Sequence, residues 1–220
     1  MPSTAKQVKV NAVAGYGANI TRCEPTLVAR EATASAKVAE TGATLVPPYD
    51  DFHVVAGQAT AVIELLEEAE KKGIVLDAVI CPVGGGGLMS GTCLAASAMQ
   101  PGIRLIGGEP MGADDAARSL ACGSLIPQTG PNTICDGLLT SVGRLPWAVI
   151  SRHLESIITV SEDEVKTAMK LLWERNKTVV EPSSSVALAA VMSKACPLPP
   201  GSKVGLILSG GNVDLNNLPF

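Results

Sequence analysis

Four consecutive glycines, Gly84 to Gly87, are the strongest chemical signal in this chain. They follow an apolar run, Leu76 to Val83, and precede a stretch of small residues, Leu88 to Met99. Each glycine loses roughly 0.5–1 kcal/mol more backbone entropy on folding than alanine would. The arrangement makes sense where successive backbone N–H groups must converge on an anion with no Cβ in the way, at the positive end of a following helix. Gly84 to Leu88 is therefore a candidate phosphate cradle. The competing reading is a tight turn that lets a helix and a strand pack closely. The string lacks the lysine of a P-loop. It is also not the G-x-G-x-x-G fingerprint followed by an acid within a first βαβ unit. A phosphorylated cofactor is favoured over a generic nucleotide.

Two further strings carry weaker signals. Ser209-Gly210-Gly211-Asn212 puts a hydroxyl where a strand ends, and alone it reads as a turn. In Glu109-Pro110-Met111-Gly112-Ala113-Asp114-Asp115, Glu109 and Asp115 could share a hard cation with backbone carbonyls and waters. The alternative is an ordinary helix start, with Asp114 and Asp115 favouring the dipole. The six cysteines form no C-x-x-C pair, and His53 and His153 are the only histidines. Neither set fits a zinc template. Reduced, mostly buried thiols in a cytoplasmic protein are the simpler expectation. Both histidines default to surface or interface roles.

The elements that would position these groups alternate along the chain. Thr26 to Thr41 reads as a helix stopped by Gly42. Ala43 to Val46 is a short apolar run expected to be a strand, ended by Pro47-Pro48. Helix character resumes from Val54 to Lys72, with Val55, Val62, Leu65, Leu66 and Ala69 on one face and a glutamate- and lysine-rich face opposite. Leu76 to Val83 suits a strand buried on both faces. There follow a helix over 88–99, a strand over 104–108, a helix over 114–120 and a strand over 156–160. Ser161 to Glu164 has the form of a capping box, opening a helix whose stripe is Val165, Ala168, Met169, Leu172 and Trp173. Pro182 to Ala195 is a helix with proline in its first turn. Lys203 to Leu208 is a final strand. Strands alternating with helices imply a parallel sheet covered on both faces, with right-handed crossovers. Ligands in such sheets lie beyond the carboxyl ends of the strands, where both glycine-rich loops fall.

The 220 residues are 46% hydrophobic and 17% charged, with a formal net charge of −4. That composition excludes disorder as the main state. It leaves no basic footprint for nucleic acid or an anionic membrane. No apolar run approaches the roughly 18 residues of a membrane span, and the N-terminus has no signal-peptide core.

Taken together, the strings resemble the serine racemase and serine–threonine ammonia-lyase (dehydratase) family of fold type II pyridoxal-phosphate enzymes. The matching pieces run in family order. They are Tyr16-Gly17-Ala18, Pro47 to Asp51 leading to Ala56-Gly57-Gln58-Ala59-Thr60, and Pro82 to Leu88. Glu109-Pro110 with Ala113-Asp114-Asp115, Asp136-Gly137, Glu181-Pro182 and Ser209 to Asp214 complete the set. The resemblance implies an α/β fold, a three-layer αβα parallel sheet like that of the tryptophan synthase β-subunit. Residues 1–50 would be the remnant of a small domain and 51–220 the large cofactor-binding domain. It implies pyridoxal 5'-phosphate held at its phosphate by Gly84, Gly85, Gly86, Gly87 and the Leu88 amide. Ser209 would bond the pyridine nitrogen, Gly137 would line the other edge of the ring, and Glu181 would support this region. Glu109, the Ala113 carbonyl and Asp115 would hold Mg2+ or Ca2+. The substrate would be a small hydroxy amino acid, and the partner a second copy of the chain in a dimer.

Family members start their chemistry from a lysine in an S-F-K-x-R-G-type motif, and hold the substrate carboxylate on an S-x-G-N-type loop. Neither motif occurs here. Met1-Pro2 resembles a Met-Pro that lies after both motifs in longer members, which implies an N-terminally truncated chain with little or no turnover by itself. Two other readings remain open. One is a repurposed domain that binds a phosphorylated ligand without catalysis. The other is cofactor-independent chemistry in the same cavity, with Glu109, Asp115, Glu181 or Cys135 as its actors.

Overall fold

The computed structural model describes all 220 residues, Met1 to Phe220. The chain divides into two compact units, Met1–Val46 with Asn212–Leu218, and Pro47–Gly211 with Pro219–Phe220. The smaller unit holds α1 (Gln7–Gly15) and α2 (Leu27–Thr41). The Thr26 hydroxyl accepts from the Ala29 amide at one end of α2, and Gly42 turns into the left-handed region at the other, φ 68°. These are the stops legible in the sequence. Ala43 to Val46, expected as a strand, is not one. No neighbour pairs with it, Leu45 and Val46 are 54% and 73% exposed, and Pro47-Pro48 removes the next two amide donors.

The larger unit is built on β1 (Ala78–Pro82), β2 (Arg104–Pro110), β3 (Ser156–Val160) and β4 (Val204–Leu206), all parallel, in the order β3-β2-β1-β4. Because side chains alternate along a strand, β1 feeds two cores at once. Val79, Cys81 and Val83 join Val62 and Leu66 of α3 (Phe52–Lys71), Met89 and Cys93 of α4 (Gly87–Met99), Ala116 of α5 (Asp115–Cys122) and Ile150 of α6 (Arg144–His153). Ile80 points the other way. It packs with Ile106, Ile158, Val165 of α7 (Glu162–Leu171) and Val186 of α8 (Pro182–Met192). Helices thus cover both faces of the sheet, the three-layer arrangement expected. Each fully buried aliphatic side chain contributes roughly 1.5–3 kcal/mol.

Local chemistry sets the helix starts. Asp51 accepts from the amides of His53 (2.8 Å) and Val54 (3.2 Å), so α3 begins at Phe52, ahead of the apolar stripe. Both halves of the capping box form at Ser161 and Glu164. The last turn of the α7 segment relaxes to π geometry over Leu172–Asn176, and Lys177 leaves it at φ 59°. Sequence reading missed α6 altogether. Its Pro146 lies in the first turn, where the missing amide costs nothing.

Candidate functional site

The site lies beyond the carboxyl ends of the paired strands β1 and β4, built on the glycine bend. Gly86 caps α4 at φ 89°, a conformation that L side chains rarely adopt, and Gly87 is the first helical residue. A Cβ on Gly85 would lie 2.2 Å from the Tyr49 ring, so only glycine lets that ring close over the bend. No backbone carbonyl accepts from the amides of Gly84 to Leu88. They lead the helix, where amides have no partner one turn back.

The bend meets the other predicted residues through Gly137. A Cβ on Gly84 would lie 3.2 Å from the Gly137 carbonyl oxygen and 3.1 Å from Leu138 Cα. The Gly137 N–H donates to Ser183 Oγ at 3.0 Å, and a Cβ on Gly137 would lie 3.7 Å from Glu181 Oε1. Glu181 in turn donates its N–H to the Gly210 carbonyl at 3.0 Å, and a Cβ on Gly210 would lie 3.4 Å from Glu181 Oε1. The glycine bend, the Asp136-Gly137 turn, the start of α8 and the Ser209-Gly210-Gly211 turn therefore border one region. Ser209 is exposed there. Ser183 is a member of this region that sequence reading missed. The run Ser183-Ser184-Ser185 at the head of an otherwise apolar helix was the signal available, and all three side chains are buried.

The chain from Gly123 to Gly143 straps across this end of the sheet. Glu162 accepts from the Thr133 hydroxyl (2.5 Å) and the Ile134 amide (2.9 Å). The Asn132 amide donates to the Gly112 carbonyl, against a Gly112 whose Cβ would overlap Asn132. Val142 donates its N–H to Asp115 Oδ2 at 2.9 Å, and the next residue, Gly143, donates to the Gly85 carbonyl at 3.0 Å.

Glu109 and Asp115 come together at the start of α5. Glu109 is fully buried and accepts from the amides of Ala116 (3.2 Å) and Ala117 (2.8 Å). Burial pushes its carboxyl up to about 8, against the pull of those two amides and with the help of the Asp115 charge. Asp115 is also raised, chiefly by burial. Ala113 is buried beside them in the chain. No group of three or more His, Cys, Asp or Glu side chains has metal-holding geometry, so a cation here would need backbone oxygens. Cys135 is buried in the second core. His53 is exposed, and His153 Nδ1 lies 3.3 Å from Ser97 Oγ on the surface.

A parallel sheet whose glycine-rich turns gather at its carboxyl edge defines a cofactor-binding α/β class. Residues 1–210 match the profile of the pyridoxal-phosphate dependent enzymes, and the chain belongs to that family. It is 47% identical to the serine racemase of Dictyostelium discoideum, over 99% of this chain and 67% of that protein. It is 45% identical to the beta-hydroxyaspartate dehydratase of Paracoccus denitrificans, over 100% of this chain and 68% of that protein. The crystal structure of a threonine deaminase from T.th. superposes with a TM-score of 0.90 at 41% identity, covering 97% of this chain and 69% of that one. The chain thus spans about two thirds of the length of the relatives it matches. No helix is long and apolar enough to cross a membrane.

Proposed function

We propose that Gly84, Gly85, Gly86, Gly87 and the Leu88 amide hold the phosphate of pyridoxal 5'-phosphate. On this reading the chain supplies the phosphate-binding part of an enzyme that removes the α-proton of small hydroxy amino acids, followed by racemisation or β-elimination. The observation that carries the proposal is the meeting of the glycine bend and the seryl turn around Gly137 and Glu181. The residues fit the group. The amides of Gly84 to Leu88 donate to no backbone carbonyl and sit at a helix start. A side chain at Gly85 would collide with the Tyr49 ring and one at Gly84 would press on Leu138, so the backbone of the bend stays bare.

When bound, the cofactor supplies an electron sink for the charge left at the α-carbon. The protein's residues orient it and shape its surroundings. The Ser209 hydroxyl would donate to the pyridine nitrogen, and a neutral donor leaves that nitrogen unprotonated. Gly137 would line the opposite edge, with Glu181 bracing the Ser209-Gly210 turn. The Tyr49 ring and Leu138 pack against the bend. No lysine falls within residues 84–88, 136–143, 181–185 or 209–211, so these segments offer no amine to take the α-proton. The racemase, dehydratase and deaminase relatives support a hydroxy amino acid substrate.

The hard oxygens of Glu109, Asp115 and the Ala113 carbonyl would hold Mg2+ or Ca2+. A cation there would offset the cost of burying both carboxylates, which raises both carboxyls. Exposed apolar side chains such as Phe52, Val75 and Met111 support a dimer. Six cysteines, none in a disulfide, support a reducing, cytoplasmic setting.

Titration of the chain with pyridoxal 5'-phosphate and with pyridoxal, read by equilibrium dialysis, tests the site. The phosphate-bearing form is expected to bind about tenfold tighter or more, equivalent to ~1.4 kcal/mol. Equal binding of the two overturns the proposal. Ammonia release from serine and threonine is expected to stay near background in the loaded chain, and robust turnover would refute that expectation.

A further inference from the structure

The segment before α3 is coupled to the glycine bend in two ways that the family resemblance assigns to no residue. Asp50 spans the start of α6. Its Oδ1 accepts from the Leu145 amide at 2.9 Å and its Oδ2 from the Arg144 amide at 3.1 Å. A Cβ on Gly143 would lie 2.7 Å from Asp50 Cγ, so Gly143 is held against this carboxylate with no room for a side chain. The N–H of that same Gly143 donates to the Gly85 carbonyl at 3.0 Å. On the other side of Asp50, the Tyr49 ring closes over Gly85, and a Cβ on Gly87 would lie 3.0 Å from Tyr49 Cα. Residues 49 and 50 thus press on the bend from one side and fix the amide that grips its carbonyl from the other.

We propose that Asp50 is a positioning residue for the phosphate cradle, acting through the Gly143-to-Gly85 hydrogen bond and the seat of Tyr49. The proposal rests on the phosphate reading of Gly84 to Leu88 for its functional consequence, and on geometry alone for its mechanical one. A carboxylate accepting two adjacent amides at a helix start is held by charge-assisted bonds and by the positive end of the helix dipole. Once these are lost, the start of α6 can fray. Gly143 then moves with the first turn of α6, and the Gly85 carbonyl loses its donor. A peptide plane released at Gly85 turns the amides of its neighbours away from a common centre. Asp51 cannot substitute, because its carboxylate is engaged with His53 and Val54.

Asp50→Ala removes both acceptors. Asp50→Asn keeps one oxygen and swaps the other for a donor, so it retains one of the two bonds. Three measurements on the full chain separate the possibilities. The first is hydrogen–deuterium exchange of peptides spanning residues 83–90 and 143–149. Asp50→Ala is expected to speed exchange in both by about tenfold, with peptides of β2 and β3 unchanged. Asp50→Asn should lie between it and the parent. The second is the dissociation constant for pyridoxal 5'-phosphate against that for pyridoxal. Asp50→Ala should weaken the first by about tenfold, equivalent to ~1.4 kcal/mol, and leave the second within about twofold. A residue with only a general structural role would shift both or neither. The third is the urea midpoint, which reports whether the sheet remains folded.

Loosening of 143–149 with the 83–90 peptide unchanged overturns the proposal. So does equal weakening of both ligands. If Asp50→Ala does not fold, the Asp50→Asn data decide by the same two criteria. If the parent chain fails to prefer the phosphate-bearing ligand while Asp50→Ala still loosens 83–90, the phosphate reading falls and the positioning role stands.

Discussion

Glu109 is a fully buried carboxyl at the start of α5. Its carboxyl is raised from an ordinary value to about 8, mainly because burial disfavours the charged form. The direction of the consequence follows from proton counting. Between about pH 4.5 and pH 8 the folded chain holds a proton that the unfolded chain has released. Raising the pH across that window therefore destabilises the fold, and the raised Asp115 carboxyl acts with the same sign. Urea unfolding in the presence of a chelator is expected to give lower stability at about pH 8 than at about pH 5.5, by an amount on the order of a few kcal/mol. A flat or rising profile would contradict the burial seen here. Residue types alone marked Glu109 and Asp115 as a pair. They did not reveal that both are already occupied by amides, Glu109 by Ala116 and Ala117 and Asp115 by Val142. That occupation depends on where a strap distant in sequence falls.

Among the elements, the ones legible beforehand carry their instructions locally. The capping box of α7, the proline at the head of α8 and the glycine after α2 each act within a few residues, and each is realised. Ser161→Ala removes the acceptor for the Glu164 amide. It is expected to lower the unfolding free energy by about 1 kcal/mol, readable as a shift in the urea midpoint at constant slope. No change would mean the cap adds nothing beyond water. The elements misread depend on partners far along the chain. Ala43 to Val46 has the residues of a strand and no strand to pair with. The start of α6 is stabilised by Asp50, which lies in another segment. The Gly123–Gly143 strap has no periodicity at all, and its course is set by Glu162, Ser183, Asp115 and Gly85. The Gly84–Gly87 bend stood out in the sequence because its glycines are consecutive. The reasons, the Tyr49 ring at Gly85 and a left-handed backbone at Gly86, lie in three-dimensional neighbours and not in the string.

For the whole molecule, stability is unevenly distributed. Every residue of β1 is buried, and the strand is bonded on both sides. In the smaller unit α1 buries only Val10, and α2 buries no residue. Native-state hydrogen exchange should find the slowest amides in Val79 to Cys81 and their β2 partners, with residues 27–41 exchanging at least about a hundredfold faster. Comparable protection in the two regions would show that the larger unit is not the more stable part.

The sheet ends on one side at β4, only three residues long and paired along one margin. So brief a margin presents at most a couple of unmet backbone donors and acceptors to a passing chain. Misassembly by strand addition is correspondingly weak here, because a recruited segment would gain few bonds before running past Leu206.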